Sequence, residues 1–263
     1  MTFDEAPSQM LAERLDEARR NRAPIAKITD QFSNLTLEDA YAIQDRLRVL
    51  QIGRDIAPAG LKMGFTSRAK MAQMKVRDPI NGYLTEEGRF AVGSTVSRDK
   101  YIFPRVEAEI AVVTSRPLRG PGCTIAQVQS SIACVLPALE LIDSRYVNYG
   151  FDLRSVVADN TSAAGFMVGD QEHPIAGLDL KTMGVVIYRN GEVAATAAGA
   201  AVLGSPLNSV ALLANMLAER GQVIPEGTLI LTGGITEAIP ITPGDHFEVR
   251  FQHLGSIDLH VSN

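Results

Sequence analysis

The sequence contains few of the residues on which zinc sites, disulfide frameworks and nucleic-acid interfaces depend. It has two cysteines and four histidines in 263 residues, and no tryptophan. Cys123 and Cys134 lack a ligand spacing, and the histidines show no His-x-His or His-Glu-x-x-His pattern, so a zinc site is not expected. Acidic residues outnumber basic ones by 30 to 25, which gives no support for a nucleic-acid partner.

Targeting and membrane signals are also missing. The first 22 residues are charged throughout and have no apolar core of the kind found in signal peptides. No run approaches the ~20 consecutive apolar residues that a membrane helix needs. An apolar fraction of 46% is typical of a globular chain that can bury a substantial core. We therefore expect a cytoplasmic protein with reduced cysteines and no membrane partner.

The first part of the chain is predicted to be helical and the remainder rich in strands. An amphipathic helix is expected over residues 7–22, and a second helix after Thr36, which can cap it. From residue 59 onward short strands outnumber helices and do not alternate with them, which favours an α+β fold over a doubly wound sheet. We predict an N-terminal helical cap over residues 1–58 and a catalytic domain over 59–263. Further helices are predicted over residues 67–75, 125–134 and 207–219.

A strand predicted over residues 106–114 (VEAEIAVVT) carries two acids. Side chains alternate along a strand, so Glu107 and Glu109 project from one face, about 7 Å apart. Glu140 lies in a second apolar run, residues 135–142, and is equally out of place there. Two interpretations remain open on spacing alone. The acids form a solvated face of an antiparallel sheet, or they bind a hard cation such as Mg²⁺ or Mn²⁺.

Three other segments place polar groups beside apolar strands. Lys62 lies in a short apolar strand next to Gly64, where it is either a surface lysine or a group for proton transfer or carboxylate binding. The TGGIT turn at residues 232–236 can present backbone N–H groups to an oxyanion, although an ordinary strand-ending turn looks the same. Residues 159–162 (DNTS) offer hydroxyl and amide groups to a ligand, or form a capping turn.

Several blocks of the sequence resemble the hydratase/decarboxylase branch of the fumarylacetoacetate hydrolase superfamily. They are KMGFTS at 62–67, RVEAEI at 105–110, PALELIDSR at 137–145, ADNTS at 158–162, and LTGGIT at 231–236 with PGD at 243–245. They occur in the family's order, and the match covers nearly the whole chain. The resemblance implies a mixed β-sandwich or β-roll with flanking helices and an enzyme that depends on Mg²⁺ or Mn²⁺.

The resemblance also implies roles for single residues. Glu107, Glu109 and Glu140 are expected to bind the metal, and Lys62 to contact the substrate, a small 2-oxo dicarboxylate, and to transfer a proton. Expected substrate-binding positions are Met63, Gly64, Ser67, Ile80, Ser162 and Thr236.

One predicted turn, residues 79–82 (PING), bears on the reaction. Hydratases of this branch resemble one another in a Pro-Asp-Phe-Gly turn whose acid handles protons during water addition, whereas decarboxylases tend to have Pro-Ile-Tyr-Gly. Ile80 fits the decarboxylases, and Asn81 departs from their tyrosine. The resemblance therefore implies metal-dependent decarboxylation of 2-oxo-3-hexenedioate in a meta-cleavage pathway of aromatic degradation. Hydration of 2-hydroxypenta-2,4-dienoate is the alternative.

Two further classes of function are compatible with the same fold. One is a non-catalytic partner subunit, although the chain retains all three acids and Lys62. The other is a carbon–carbon hydrolase, which would need a His-Glu pair on the N-terminal side of the site, and the first histidine is His173. Family members often assemble, so a homo-oligomer and a complex with the pathway hydratase are expectations from the resemblance.

Overall fold

A computed structural model of the chain describes residues 5–67, 71 and 78–263, and two helices come first in it. They are α1 (Glu5–Asn21) and α2 (Leu37–Ile52). Thr36 and Asp39 form the predicted capping box of α2, each side chain accepting a hydrogen bond from the other's backbone N–H. Most of the helix predicted over residues 67–75 lies outside the described residues.

Thirteen strands within the described residues form two sheets. They are β1 (Pro58–Gly64), β2 (Ile80–Thr85), β3 (Arg89–Phe90), β4 (Thr95–Ser97), β5 (Arg105–Thr114), β6 (Ile132–Ile142), β7 (Ala163–Val168), β8 (Gly184–Arg189), β9 (Glu192–Ala198), β10 (Leu229–Leu231), β11 (Ile239–Pro240), β12 (His246–Phe251) and β13 (Gly255–Ser262). The first sheet has the order β2-β1-β10-β5-β6-β7-β3, with β11 also paired to β5, and the second has the order β4-β13-β12-β8-β9. The remaining α-helices that can be given full bounds among the described residues are α3 (Ile125–Gln129), α4 (Leu153–Ala158) and α5 (Pro206–Glu219).

The main core lies where the two sheets and α5 meet. Val106 and Ile110 of β5 pack in one cluster with Phe247 and Leu259 of the second sheet. These residues alternate with polar ones along their strands, which is the pattern of a sheet with one face turned to the core. The α+β prediction with mixed sheets is confirmed.

The stretch that contains α5 is unusually long and apolar. By these two criteria alone, Gly199–Glu219 could cross a membrane, and about half of it is buried inside the protein. Leu207, Val210 and Leu213 of this stretch pack into the main core. These contacts identify it as a core helix. No apolar stretch of this length was expected from the sequence.

The N-terminal helices pack on the rest of the chain through a second apolar cluster. Leu11 of α1 and Ile43 of α2 share this cluster with Ile80, Tyr146 and Val156. The helices therefore cover the region where β2 begins and where α4 packs. The predicted order, helices first and strands later, is confirmed, while the domain division at residue 58 stays a prediction.

Two local predictions were wrong and one was confirmed. The helix predicted over 125–134 ends at Gln129, and Cys134 lies in β6, because a fully buried strand gives the same continuous apolar run as a buried helix. The turn predicted over 79–82 is strand from Ile80 onward, where the chain pairs with β1. An Asn-Gly pair between apolar runs predicts a hairpin, and Asn190-Gly191 does join β8 to β9, with the positive φ of such a turn at both residues.

Candidate active site

The register of β5 and β6 brings the three predicted acids together. Glu107 lies directly opposite Glu140 in this antiparallel pair, and Glu109 follows two residues later on the same face. One carboxylate oxygen from each residue lies within 4.8 Å of the others. The relative exposures are 0% for Glu109, 1% for Glu140 and 8% for Glu107, which excludes the solvated-face interpretation. We call these three residues the glutamate cluster.

Lys62 supplies a positive charge to the glutamate cluster. β1 and β5 flank β10, and the pairing of Leu231 with both Lys62 and Ala111 puts the lysine on the face of the glutamates. Lys62 Nζ lies 2.8 Å from Glu140 Oε1 and donates a hydrogen bond to the Thr161 carbonyl oxygen at 3.2 Å. Lys62 therefore compensates part of the negative charge of the three carboxylates in this buried site.

The electrostatics of the glutamate cluster favour an additional cation. Burial, and after it repulsion from Glu140, raise the pKa of Glu109 well above its usual value, while Lys62 opposes this effect. Burial also raises the pKa of Glu140, again against the attraction of Lys62. Among the described residues, Glu109 Oε1 and Glu140 Oε2 have no hydrogen-bond partner. Buried carboxylate oxygens without partners need a proton or a cation, so this oxygen donor set fits Mg²⁺ or Mn²⁺.

The predicted glycine turn contacts the glutamate cluster. The Gly233 N–H donates to Glu109 Oε2 at 2.6 Å, so this amide binds a carboxylate of the protein and not a ligand oxyanion. Gly233 has a φ of +112°, and a Cβ there would lie 2.2 Å from Thr66 Oγ1, so only glycine fits. Thr236 was expected to bind substrate, but its Oγ1 accepts a hydrogen bond from Ala108 N and it does not line the cavity described below.

Residues 160–162 form a strained segment that contacts Lys62 through the Thr161 carbonyl oxygen. Asn160, Thr161 and Ser162 have φ values of 47°, 53° and 58°, a conformation that costs non-glycine residues about 1–3 kcal/mol each. The Asn160 side chain exchanges two hydrogen bonds of 2.9 Å with the backbone of Tyr83, and Thr161 Oγ1 donates to the Asn81 carbonyl. These contacts hold the Thr161 carbonyl at Lys62.

A cavity of about 350 Å³ opens beside the glutamate cluster. Its described lining residues are Lys62, Met63, Gly64, Phe65, Thr66, Ile80, Arg105, Glu107, Ile142, Tyr149, Phe151, Val156, Thr161, Ser162, Gly234, Glu237 and Ala238. Glu107 and Lys62 therefore reach the cavity wall, while Glu109 and Glu140 lie deeper. The volume suits a small organic acid.

Some of the expected substrate-binding residues line this cavity and others do not. Gly64, Ile80 and Ser162 line it, and Ser162 Oγ is buried with no hydrogen-bond partner among the described residues. Met63 borders the cavity, but its side chain is fully buried in the main core because it alternates with Lys62 along β1. Ser67 is not among the described lining residues.

Arg105 and Tyr149 are two of the cavity-wall residues that were not predicted from the sequence. The Arg105 guanidinium carbon lies 4.3 Å from the centre of the Tyr149 ring, a cation–π contact. Arg105 precedes Glu107 by two residues and shares its face of β5, so strand alternation could have identified it. Tyr149 comes from an irregular segment and gave no such signal.

Asn81, the residue that departs from the family turn, points away from the cavity. Its Nδ2 donates to the Tyr41 hydroxyl at 3.2 Å, and its Oδ1 accepts a hydrogen bond from Arg220 at 3.0 Å. Asn81 therefore connects β2 to α2 and α5, and the neighbouring Ile80 faces the cavity.

Comparisons with known proteins agree on one family. A family model described as fumarylacetoacetate (FAA) hydrolase C-terminal matches residues 63–262. A 4-oxalocrotonate decarboxylase of Pseudomonas sp. (strain CF600) is 50% identical over 247 residues, 94% of each chain. A 2-oxo-hept-4-ene-1,7-dioate hydratase of Escherichia coli is 37% identical over 261 residues, 97% of this chain and 98% of the relative. The solved 4-oxalocrotonate decarboxylase from Pseudomonas putida G7, complexed with magnesium and adipate, matches with a TM-score of 0.97 and 48% identity over 99% of both chains.

Proposed function

Because the chain belongs to the fumarylacetoacetate hydrolase family, we propose that it is a metal-dependent lyase that decarboxylates 2-oxo-3-hexenedioate. The products are 2-hydroxypenta-2,4-dienoate and CO₂, in the meta-cleavage degradation of aromatic compounds. The observation that carries this proposal is the glutamate cluster, three buried carboxylates in contact with Lys62, beside a cavity for a small acid. Adipate, bound by the Pseudomonas putida G7 relative, is a dicarboxylate with the same number of carbons as this substrate.

The glutamate cluster is the part of the site that holds a divalent cation, Mg²⁺ or Mn²⁺. Glu107, Glu109 and Glu140 each supply carboxylate oxygen, the ligand type that these ions prefer. The positive charge of the ion would add to that of Lys62 in compensating the three buried carboxylates. When bound, the ion supplies positive charge beside the 2-oxo group of the substrate and stabilises the negative charge that develops there.

Lys62 transfers the proton in this proposal. Loss of the C6 carboxylate as CO₂ leaves an electron pair at C5, which moves through the C3=C4 double bond to the C2 oxygen. The Lys62 ammonium, positioned by Glu140 and the Thr161 carbonyl, donates a proton to that oxygen and later recovers one from water. The barrier falls because the ammonium stabilises the developing oxyanion more than the starting ketone.

The two sides of the cavity suit the two carboxylates of the substrate. Arg105 lies about 7 Å along β5 from Glu107, where it can bind a carboxylate close to the glutamate cluster. Ile80 and Phe65 form an apolar part of the wall. A cation beside the leaving carboxylate would oppose its conversion to neutral CO₂. We therefore assign Arg105 to the carboxylate that the product retains, and the apolar wall to the one that leaves.

Hydration of 2-hydroxypenta-2,4-dienoate is the second candidate, because the chain is 37% identical to a hydratase. Water addition needs a group that orients or deprotonates water. Ile80 lines the cavity at the position where the hydratase turn has its acid, and it has no polar side-chain atom. This residue favours decarboxylation.

A spectroscopic assay of both substrates, with and without Mg²⁺, tests the proposal. Purified protein with Mg²⁺ is expected to release CO₂ from 2-oxo-3-hexenedioate and to leave the dienoate unchanged. Hydration of the dienoate without release of CO₂ would establish the second candidate instead. Titration with Mg²⁺ separates both from a non-catalytic partner subunit, for which binding of metal is not required.

We also propose a cellular setting for the protein. The sequence indicates a cytoplasmic location, and the family resemblance indicates a homo-oligomer and a complex with the pathway hydratase. Light scattering of the purified protein, alone and mixed with that hydratase, measures both assemblies. A species of 28.3 kDa for the protein alone, and no new larger species in the mixture, would contradict them.

A further inference from the structure

A second group of metal-binding side chains lies on the five-stranded sheet. His246 of β12 is directly opposite His260 of β13, and Asp258 precedes His260 by two residues, so all three project from one face. The residues next to them, Phe247 and Leu259, point into the main core. We call His246, Asp258 and His260 the histidine cluster.

The side chains of the histidine cluster converge on one carboxylate oxygen. Asp258 Oδ2 lies 3.7 Å from His246 Nε2 and 3.6 Å from His260 Nε2. The two imidazole rings stack, with centres 4.4 Å apart and planes at 14°. Bonds of roughly 2.0–2.2 Å to a metal ion place its ligand atoms about 3–4 Å apart. Small side-chain rotations are therefore enough to bring all three ligands to one ion.

The backbone around the histidine cluster is fixed. The His246 N–H donates to Asn190 Oδ1 at 2.8 Å, and the His260 N–H donates to the Ser94 carbonyl at 3.0 Å. The neighbouring acid on this face, Glu248, is paired with Arg250 at 2.7 Å. The three side chains of the cluster are 36–49% exposed, so an ion in solution can reach them.

We propose that the histidine cluster binds a transition-metal ion such as Zn²⁺, Ni²⁺ or Cu²⁺. The linear spacing of the histidines predicts no such site, because its ligands come together only across two paired strands. Two imidazole nitrogens and one carboxylate are a donor set that these ions prefer, whereas Mg²⁺ takes oxygen ligands and keeps most of its water. The ligands all approach from the sheet, so the coordination positions on the solvent side stay open. The protein then has two sites that select different metals, hard ions at the glutamate cluster and borderline ions at the histidine cluster.

Electron paramagnetic resonance of Cu²⁺ tests this proposal, because it detects nitrogen ligands directly. One equivalent of Cu²⁺ is added to the full-length protein in excess Mg²⁺, which occupies the glutamate cluster. We expect a spectrum with two coupled nitrogens. His246→Ala and His260→Ala should each remove one nitrogen and weaken binding at least about tenfold, since even losses outside the ligand shell cost that much. Asp258→Asn should weaken binding and keep both nitrogens.

The matched control is His253→Asn, on the turn between the same two strands. His253 has a φ of +67°, which asparagine tolerates, and it is not part of the cluster. This variant should bind Cu²⁺ like the wild type. A two-nitrogen signal that survives unchanged in both His246→Ala and His260→Ala, with folding checked by circular dichroism, would overturn the proposal, as would the absence of a two-nitrogen signal in the wild type. Decarboxylation with Mg²⁺, measured on the same samples, reports on the proposed function separately.

Discussion

The glutamate cluster and the histidine cluster each place three ligands on a pair of antiparallel strands, but their surroundings are opposite. The glutamates are at most 8% exposed, whereas the side chains of the histidine cluster are at least 36% exposed. Burial forces every charge of the first cluster to find a partner in the protein or in a bound ion. Water solvates the second cluster, so only the chemistry of its ligands selects an ion.

The largest difference between the clusters is expected in catalysis. Glu107→Gln removes one negative ligand, and we expect decarboxylation at saturating Mg²⁺ to fall by more than about 100-fold, since one lost electrostatic contact in an active site has effects of this size. His260→Ala should leave this rate unchanged. Glu192→Gln, the same substitution at an exposed residue of β9, is the control. Full activity in Glu107→Gln would remove this residue from the site.

The next difference concerns stability without metal. The folded-state pKa of Glu109 is raised above its usual value of 4.5, so its contribution to stability is present below pH 4.5 and is lost as the pH rises through the raised pKa. We therefore expect the metal-free wild type to melt at a lower temperature at pH 8 than at pH 5.5.

Glu109→Gln sharpens this test, because its amide oxygen can still accept the Gly233 N–H without carrying a charge. We expect it to melt above the wild type at pH 8 without metal, and to lose the stabilisation that Mg²⁺ gives the wild type. Calorimetry at both pH values measures this. A wild type whose pH dependence equals that of Glu109→Gln would contradict it.

A smaller effect is expected at the cavity wall beside the glutamate cluster. Arg105→Met removes a charge-assisted hydrogen bond worth about 1.5–3 kcal/mol, so KM should rise at least about tenfold with little change in kcat. The dissociation constant of oxalate, which mimics the retained end of the substrate, should rise by a similar factor. If adipate binding weakens and oxalate binding does not, Arg105 contacts the leaving carboxylate instead.

The smallest effect is expected from the histidine cluster in the absence of transition metals. His246→Ala and His260→Ala change partly exposed side chains, so each should alter the free energy of unfolding by less than about 0.5 kcal/mol. Urea denaturation in the presence of a chelator measures this. A decrease of more than about 2 kcal/mol in the free energy of unfolding would contradict this expectation, because it would show that the stacked imidazoles stabilise the fold.

Much of the active site could be predicted because its central residues lie on strands. Alternation along β5 places Glu107 and Glu109 on one face, and an acid in the apolar run of β6 marks Glu140. Their direct pairing, Glu107 opposite Glu140, could not be predicted, because register depends on turns and packing that the local sequence does not encode.

The parts of the site that come from irregular segments were harder to predict. The sequence left open whether the glycine turn binds an oxyanion or only ends a strand. The Gly233 amide binds Glu109, and a turn sequence indicates an exposed N–H group but not its partner. Thr236 and Met63 were assigned from their place in a matched block, although one bonds to β5 and the other lies in the core. Tyr149 had no local pattern at all.

The glutamate cluster and part of the cavity wall come from different kinds of segment, and this affects how proteins built on this fold can acquire new reactions. The glutamates stand on two adjacent inner strands of the large sheet, where neighbours on both sides fix the backbone. Ile80, Ser162 and Gly234 stand at the start of an edge strand or in connecting segments. Substitutions at these positions leave the inner strands in place. A new reaction can therefore arise through changes in the cavity wall while the glutamate cluster is inherited intact.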